Sequence, residues 1–210
     1  MPAEFVGLAE ETGLIVTLGT FVLQTACHDL HRWHKDGLGT EITMSVNVSP
    51  PQLRVPGFVA QLAQTLEDAG LAGSSLLLEI TESMLIDGAL DEAVLHAIRA
   101  LGVRIAIDDF GTKYSTLSYL SRLPIDALKI DESFVRDIDN GAGRVVVTAI
   151  AALGRALGIE VIAEGVETPA QLETISEIGC SVVQGFYFSE PLGPEASFAL
   201  LRERPSLRSW

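Results

Sequence analysis

Two adjacent carboxylates, Asp108 and Asp109, follow an apolar run that ends at Ile107 and precede Phe110 and Gly111. Adjacent residues of a regular strand point to opposite faces, which would separate the two carboxylates. A break in the backbone at the end of the strand would turn both toward one pair of metal ions, with one carboxylate bridging. Hydrolysis of a phosphodiester by two metals needs such an arrangement. A simple turn without chemistry explains the same four residues about as well.

Lys129 lies inside the apolar run Ala127 to Asp131. A buried ammonium is costly unless a carboxylate or a phosphate accompanies it. Asp131 lies two residues further on the same face of the predicted strand, so a structural ion pair between Lys129 and Asp131 is one interpretation. A role toward phosphate or water is the other, and the local sequence leaves both open.

Four more polar residues lie where predicted strands begin or end: Asn47, Glu79, Glu164 and Gln184. Glu79 follows three leucines, which would carry its carboxylate to the mouth of a sheet, although a solvent-facing position at the rim is the plainer interpretation. Glycine next to Glu164 and next to Gln184 permits close approach of backbone or ligand.

The elements that would position these side chains alternate along the chain. Six apolar runs rich in β-branched residues predict strands, at Ile42 to Ser49, Leu76 to Thr81, Arg104 to Asp109, Ala127 to Asp131, Glu160 to Glu164 and Val182 to Phe188. Stretches with helical periodicity lie between them, at Ile15 to Lys35, Gly57 to Ala69, Leu90 to Leu101, Arg144 to Leu157 and Pro169 to Ile178. Gly70, Gly102, Gly158 and Gly179 are predicted to end helices in the left-handed conformation.

This alternation predicts a parallel sheet, either closed as a barrel or open and doubly wound. Polar residues at the ends of six successive strands favour the α/β barrel, in which the carboxyl ends of many strands build one site. An open sheet would concentrate such residues at one switch point.

Composition narrows the class of protein. The formal charge of -14, from 28 acidic and 14 basic residues, disfavours binding to nucleic acid but leaves room for a small anion whose contact divalent cations mediate. Cys27 and Cys180 have no partners at zinc-ligand spacing and are predicted to be buried thiols. We find neither a signal peptide nor a membrane span, and expect a cytoplasmic domain. Serine-hydrolase, P-loop and dinucleotide-binding motifs are also absent from the sequence.

Taken together, the motifs resemble the EAL family of bacterial cyclic di-GMP phosphodiesterases. The resemblance covers nearly all of the chain and rests on these segments: Pro2 to Phe5, Leu8 to Ile15, Val46 to Ser49, Glu79 to Glu82, Asp108 to Thr112, Leu123 to Asp126, Lys129 to Asp131, Ala163 to Glu167 and Gln184 to Phe186.

The resemblance implies a TIM-like barrel of eight strands that cleaves cyclic di-GMP to linear pGpG with Mg²⁺ or Mn²⁺. It implies Asn47, Glu79, Asp108 and Asp109 as metal ligands, with Asp108 bridging two metals. It also implies that Lys129, Glu164 and Gln184 order or deprotonate the attacking water, that Glu82 tethers the loop Phe110 to Ser115, and that Glu167 supports the metal ligands. No substrate-binding residue is predicted.

The resemblance also implies how the chain is organised. We expect residues 1 to 210 to be one EAL-type domain with about six of the eight strands, because the Glu-Ala-Leu motif would lie upstream of Pro2. The sequence contains no Glu-Ala-Leu. A catalytically impaired domain that binds cyclic di-GMP or another protein is therefore the alternative. The family further implies a homodimer formed through Tyr114 to Leu123, and sensor or diguanylate-cyclase-like domains upstream in a longer protein.

Overall fold

The computed structural model describes residues 2–86, 91–112, 120, 122–180 and 182–204. The chain divides into two compact units. The first unit contains Met1–Ile80 and Met84–Ile105, and the second contains Thr81–Ser83 and Ala106–Trp210. Each unit is described separately below.

The described helices and strands alternate as predicted. The helices are α1 (Pro2–Glu11), α2 (Leu14–Trp33), α3 (Pro50–Leu53), α4 (Phe58–Ala69), α5 (Glu82–Ile86), α6 (Glu92–Ala100), α7 (Glu132–Arg136), α8 (Ala142–Leu157), α9 (Pro169–Ile178) and α10 (Pro194–Glu203). The strands are β1 (Met44–Asn47), β2 (Leu76–Thr81), β3 (Arg104–Phe110), β4 (Ala127–Ile130), β5 (Glu160–Ala163) and β6 (Val182–Val183). A π-helical segment, His34–Leu38, follows α2, and short 3-10 turns lie at Gly73–Ser75 and Ile138–Asn140.

The strands form one sheet whose order is that of the sequence, from β1 to β6. The recorded pairs are parallel: β1 with β2 in the first unit, and β3 with β4, β4 with β5 and β5 with β6 in the second. Every residue of β4 is buried, as is nearly every residue of β2. Strands that are buried on both faces have nearly continuous apolar sequences, which is why the sequence predicted β2 and β4.

Helix α2 packs through one face whose buried residues are Ile15, Gly19, Leu23, Cys27, Leu30 and Trp33. This spacing of three and four residues is the helical period that predicted the element. The four predicted helix-ending glycines all have positive φ, between 63° and 93°. Thr168 caps α9 by accepting a hydrogen bond from the backbone N–H of Gln171 at 3.2 Å. The predictions for the four glycines are confirmed.

The last strand is shorter than predicted. It ends at Val183 rather than Phe188, and Phe186 to Phe188 form a turn. The N–H of Tyr187 donates to the carbonyl of Val166 at 2.9 Å, and that of Phe188 donates back to Gly185 at 3.1 Å. The chain therefore bends onto the preceding loop instead of extending, a tertiary contact that apolar composition could not reveal.

The two cysteines have the predicted environment. Cys27 and Cys180 are both free and buried, and burial raises the pKa of the Cys27 thiol to about 11.

Within the described residues, no single helix is long and apolar enough to cross a membrane. The helical segments Phe5–Glu11 and Leu14–Leu38, bent by 119° relative to each other, meet that criterion together by length and composition only.

Candidate functional site

A β-bulge interrupts β3 at the two adjacent carboxylates. Ile107 lies opposite Leu128 and Phe110 lies opposite Ile130, so β3 advances three residues while β4 advances two. The extra residue is accommodated at Asp109, whose φ is 55°, the one positive value at a non-glycine residue in the described ranges. Aspartate tolerates this left-handed conformation better than most residues. The bulge is the break in the backbone that the sequence analysis proposed for this position.

The bulge brings three carboxylates together in the second unit. One carboxylate oxygen from each of Asp108, Asp109 and Glu164 lies within 4.8 Å of the others. Glu164 directly follows β5, and its N–H donates to the carbonyl of Ile130 at 3.3 Å. Parallel pairing of β3, β4 and β5 thus aligns their carboxyl ends, so that side chains more than fifty residues apart in sequence meet. We call Asp108, Asp109 and Glu164 the carboxylate cluster.

Lys129 is the cation of this cluster. Its side chain is 4% exposed, and its Nζ lies 2.9 Å from Oδ1 of Asp108 and also contacts Oε1 of Glu164. Asp131, the alternative partner considered in the sequence analysis, instead accepts hydrogen bonds from the N–H and the hydroxyl of Ser133 and caps α7. The ammonium of Lys129, on β4, therefore contacts Asp108 on β3 and Glu164 at the end of β5.

The electrostatics of the carboxylate cluster favour a bound cation. The pKa of Asp109 is raised, first by partial burial, then by the charges of Asp108 and Asp131 and a hydrogen bond with Asp131, while Lys129 lowers it. Sequence reasoning did not assign Asp131 to this cluster, although its position two residues after Lys129 was a usable signal. Clustered carboxylate oxygens are the ligands that Mg²⁺, Mn²⁺ and Ca²⁺ prefer.

Glu82 holds the backbone directly after the bulge. It is 1% exposed, and its Oε2 accepts a hydrogen bond from the N–H of Gly111 at 3.1 Å. Gly111 has a φ of 99°, which glycine adopts without strain. This contact is what the tethering role implied by the resemblance requires. The rest of the loop, at positions 113 to 115, lies outside the described residues.

Gln184 and Glu167 both have exposed side chains, and neither belongs to the carboxylate cluster. Gln184 follows β6, where its N–H donates to Ala163 at 2.8 Å and its carbonyl accepts from the N–H of Val166 at 3.0 Å. Glu167 donates its backbone N–H to Oε1 of Gln171 at 2.8 Å. The backbone around both residues is thus well fixed, and both lie at the carboxyl ends of strands.

The first unit brings together the other two predicted metal ligands. Asn47 lies directly opposite Glu79 in the register of β1 and β2, and the N–H of Val48 donates to the carbonyl of Glu79 at 2.9 Å. Asn47 is exposed, whereas Glu79 is only 5% exposed. The interpretation of Glu79 as a solvent-facing rim residue is therefore wrong.

Comparison with known proteins finds a matching family and several similar proteins. The family described as EAL domain matches residues 1–191. The signaling protein YkoW of Bacillus subtilis is 42% identical over 207 residues, which are 98% of this chain and 26% of that protein. The cyclic di-GMP phosphodiesterase NbdA of Pseudomonas aeruginosa is 43% identical over 216 residues, 99% of this chain and 27% of that protein. The chain thus spans about a quarter of the length of these relatives.

A solved structure extends the comparison to the fold. The phosphodiesterase PaMucR, solved in complex with c-di-GMP, superposes with a TM-score of 0.88 at 40% identity, over 94% of this chain and 80% of that one. The six parallel strands and their helices therefore have the TIM-like (β/α) fold of EAL domains, as predicted from the sequence. From its motifs, its fold and these likenesses, the chain belongs to the EAL domain family.

Proposed function

We propose that this chain hydrolyses cyclic di-GMP to linear pGpG with the help of divalent cations. The observation that carries the proposal is the carboxylate cluster with the buried Lys129 at its centre. The phosphodiesterase named NbdA, 43% identical over 99% of this chain, supports the same substrate. So does the c-di-GMP bound to the structural relative PaMucR.

The residues of the carboxylate cluster fit a hard divalent cation, since each offers a carboxylate oxygen within 4.8 Å of the other two. Asp108 and Asp109 would hold Mg²⁺ or Mn²⁺, and we propose that Asp108 would serve both ions of a pair. Asn47 and Glu79 are further ligands that the family resemblance implies. When bound, the cations polarise the phosphoryl oxygens and lower the pKa of water.

The remaining polar residues would act on the attacking water. Lys129, whose ammonium lies against Asp108 and Glu164, would help to order that water. Glu164 would accept a hydrogen bond, or the proton, from water, and the side-chain amide of Gln184 would orient that water. Glu82 fixes the backbone of Gly111, and through it the position of the bulge. Glu167 would support the site from its exposed position.

Several wider assignments accompany this function. We propose that residues 1 to 210 act as one EAL-type domain, in the cytoplasm, within a protein that carries sensor or diguanylate-cyclase-like domains. Much longer relatives support the last point. We also propose a homodimer formed through Tyr114 to Leu123, a segment mostly outside the described residues. Light scattering at high concentration with ligand and metal present tests the dimer, and a monomer would contradict it.

Release of pGpG from cyclic di-GMP tests the proposed function. The assay uses the chain together with any segment that is encoded in frame with it. It is run in Mg²⁺, in Mn²⁺ and in chelator. Turnover should require the cation. Glu164→Gln should remove turnover, whereas Glu177→Gln should not, because Glu177 forms a surface ion pair with Arg144 and is 58% exposed. No turnover by a folded wild-type protein in either metal would refute the proposal.

A second candidate is a module that binds cyclic di-GMP without cleaving it. The observation that favours it is the lack of a Glu-Ala-Leu motif in these 210 residues. Calorimetric titration of the chain with cyclic di-GMP, with and without Mg²⁺, distinguishes the two functions when combined with the turnover assay. Binding heat without pGpG release would support this candidate, and absence of heat under both conditions would refute it.

A further inference from the structure

Two exposed aromatic rings lie on the turn that follows β6. Phe186 is 60% exposed and Tyr187 is 42% exposed, and they are the exposed aromatic side chains among the described residues of the second unit. We call Gly185 to Phe188 the aromatic turn. Most other aromatic rings of this unit that the structure describes are partly or fully buried, so the exposure of two adjacent rings sets this turn apart.

The aromatic turn is rigidly held. Its residues donate backbone hydrogen bonds from Tyr187 to Val166 at 2.9 Å and from Phe188 to Gly185 at 3.1 Å. The rings of Tyr187 and Phe188 pack edge to face, with centroids 5.2 Å apart and planes at 85°. Gly185 lies so close to the backbone of Val166 that a Cβ would come within 2.1 Å of its carbonyl oxygen. The backbone that carries Phe186 is therefore held against the segment around Val166, and the ring of Tyr187 is held against that of Phe188.

That position adjoins the carboxylate cluster. The turn is bonded to Val166, which lies two residues after Glu164, and it directly follows Gln184, whose N–H is bonded to Ala163 at 2.8 Å. Both segments leave the same end of the parallel sheet, since β5 and β6 are paired in parallel. The bases of cyclic di-GMP project outside its phosphodiester ring, so a phosphodiester held at the carboxylate cluster would leave the bases for adjoining segments to contact.

We propose that Phe186 is a specificity-determining residue, whose exposed ring stacks on a guanine base of cyclic di-GMP. This inference rests on the function proposed above. A rigid, exposed aromatic ring provides a surface for the flat face of a base without any hydrogen bond. The proposed roles of the carboxylate cluster concern the metals and the phosphodiester, so recognition of the base calls for contacts from other residues.

The test separates base recognition from chemistry. Phe186→Leu removes the flat ring but keeps apolar bulk, and Phe186→Tyr keeps the ring. Leu192→Ala is the matched control, because Leu192 is an exposed apolar residue of the same unit at 46% exposure. KM and kcat for cyclic di-GMP are measured in Mn²⁺, together with inhibition by GMP and by ribose 5-phosphate, which lacks the base.

Phe186→Leu should raise KM and the inhibition constant of GMP by about 5- to 150-fold, the fold-change that corresponds to ~1 to 3 kcal/mol of base stacking. It should leave kcat and inhibition by ribose 5-phosphate unchanged, and Phe186→Tyr and Leu192→Ala should behave like wild type. An unchanged KM in Phe186→Leu, or equal weakening of GMP and ribose 5-phosphate, would overturn the inference alone. A folded wild-type protein that releases no pGpG would overturn the proposed function and this inference with it.

Discussion

Replacing Lys129 by methionine should strongly destabilise the metal-free protein. The ammonium is 4% exposed and lies against two carboxylates whose side chains are 14% and 17% exposed, those of Asp108 and Glu164. Methionine has a similar length and an apolar end, so it preserves packing while removing the charge. The variant therefore leaves two partly buried carboxylates facing each other without their cation.

The magnitude follows from the burial of the group. Removing one partner of a buried ion pair typically costs about 3 to 5 kcal/mol, a large share of a total stability of roughly 5 to 15 kcal/mol. Arg136→Met is the matched control, because Arg136 pairs with Glu132 at 3.5 Å on the surface, where the side chains are 67% and 66% exposed. An exposed pair of this kind contributes about 0 to 1 kcal/mol.

Urea denaturation in chelator at pH 7, followed by circular dichroism, measures the free energy of unfolding of the wild type and of both variants. Equal stability of Lys129→Met and Arg136→Met would refute the buried ion-pair network.

Three further experiments test the bridging role of Asp108, the close packing of Gly185 and the charge of Asp109. Asp108→Asn should abolish metal-dependent pGpG release. Glu167→Gln should reduce it only ~10- to 100-fold, the usual effect of losing a residue that supports metal ligands. A larger loss in Glu167→Gln than in Asp108→Asn, in kinetic assays of folded variants, would contradict the bridging role of Asp108. Gly185→Ala should lower the free energy of unfolding by roughly 1 to 3 kcal/mol, since its Cβ would meet the backbone of the preceding loop, whereas Gly193→Ala, with nothing within 4 Å, should have little effect on the urea midpoint. Because the pKa of Asp109 is raised in the folded state, its contribution to stability is fully present below its unfolded pKa and is lost as pH rises through the folded value. Asp109→Asn should therefore melt higher than wild type at pH 7 in chelator and lose this advantage in acid, and a lower melting temperature at pH 7 would count against clustered like charges.

Local patterns predicted most of the architecture. Leu76 to Thr81 and Pro169 to Ile178 have the predicted bounds, because a continuous apolar run and a helical period with a capping threonine are properties of neighbouring residues. The early end of β6 was missed, because it depends on a contact between Gly185 and the backbone of Val166 nineteen positions earlier.

Sequence patterns proposed candidate residues, but they could not predict the geometry that brings Asp108, Asp109 and Glu164 together. The bulge at Asp109 could not be distinguished from a turn, since it is defined by the register of β3 against β4. The ion pairs of Lys129 likewise depend on which strands flank β4. The local sequence indicates only the nearby Asp131 as a carboxylate partner. Register and the order of neighbouring strands are long-range properties, and they determine which of these side chains meet.

A crystal of the protein grown with Mn²⁺ and cyclic di-GMP, measured at the manganese absorption edge, tests the central claim most directly. We expect an anomalous peak within about 2.0 to 2.6 Å of carboxylate oxygens of Asp108 and Asp109, the range for hard cations, with a phosphodiester of the ligand beside it. Manganese bound elsewhere, or cyclic di-GMP bound away from these carboxylates, would contradict it.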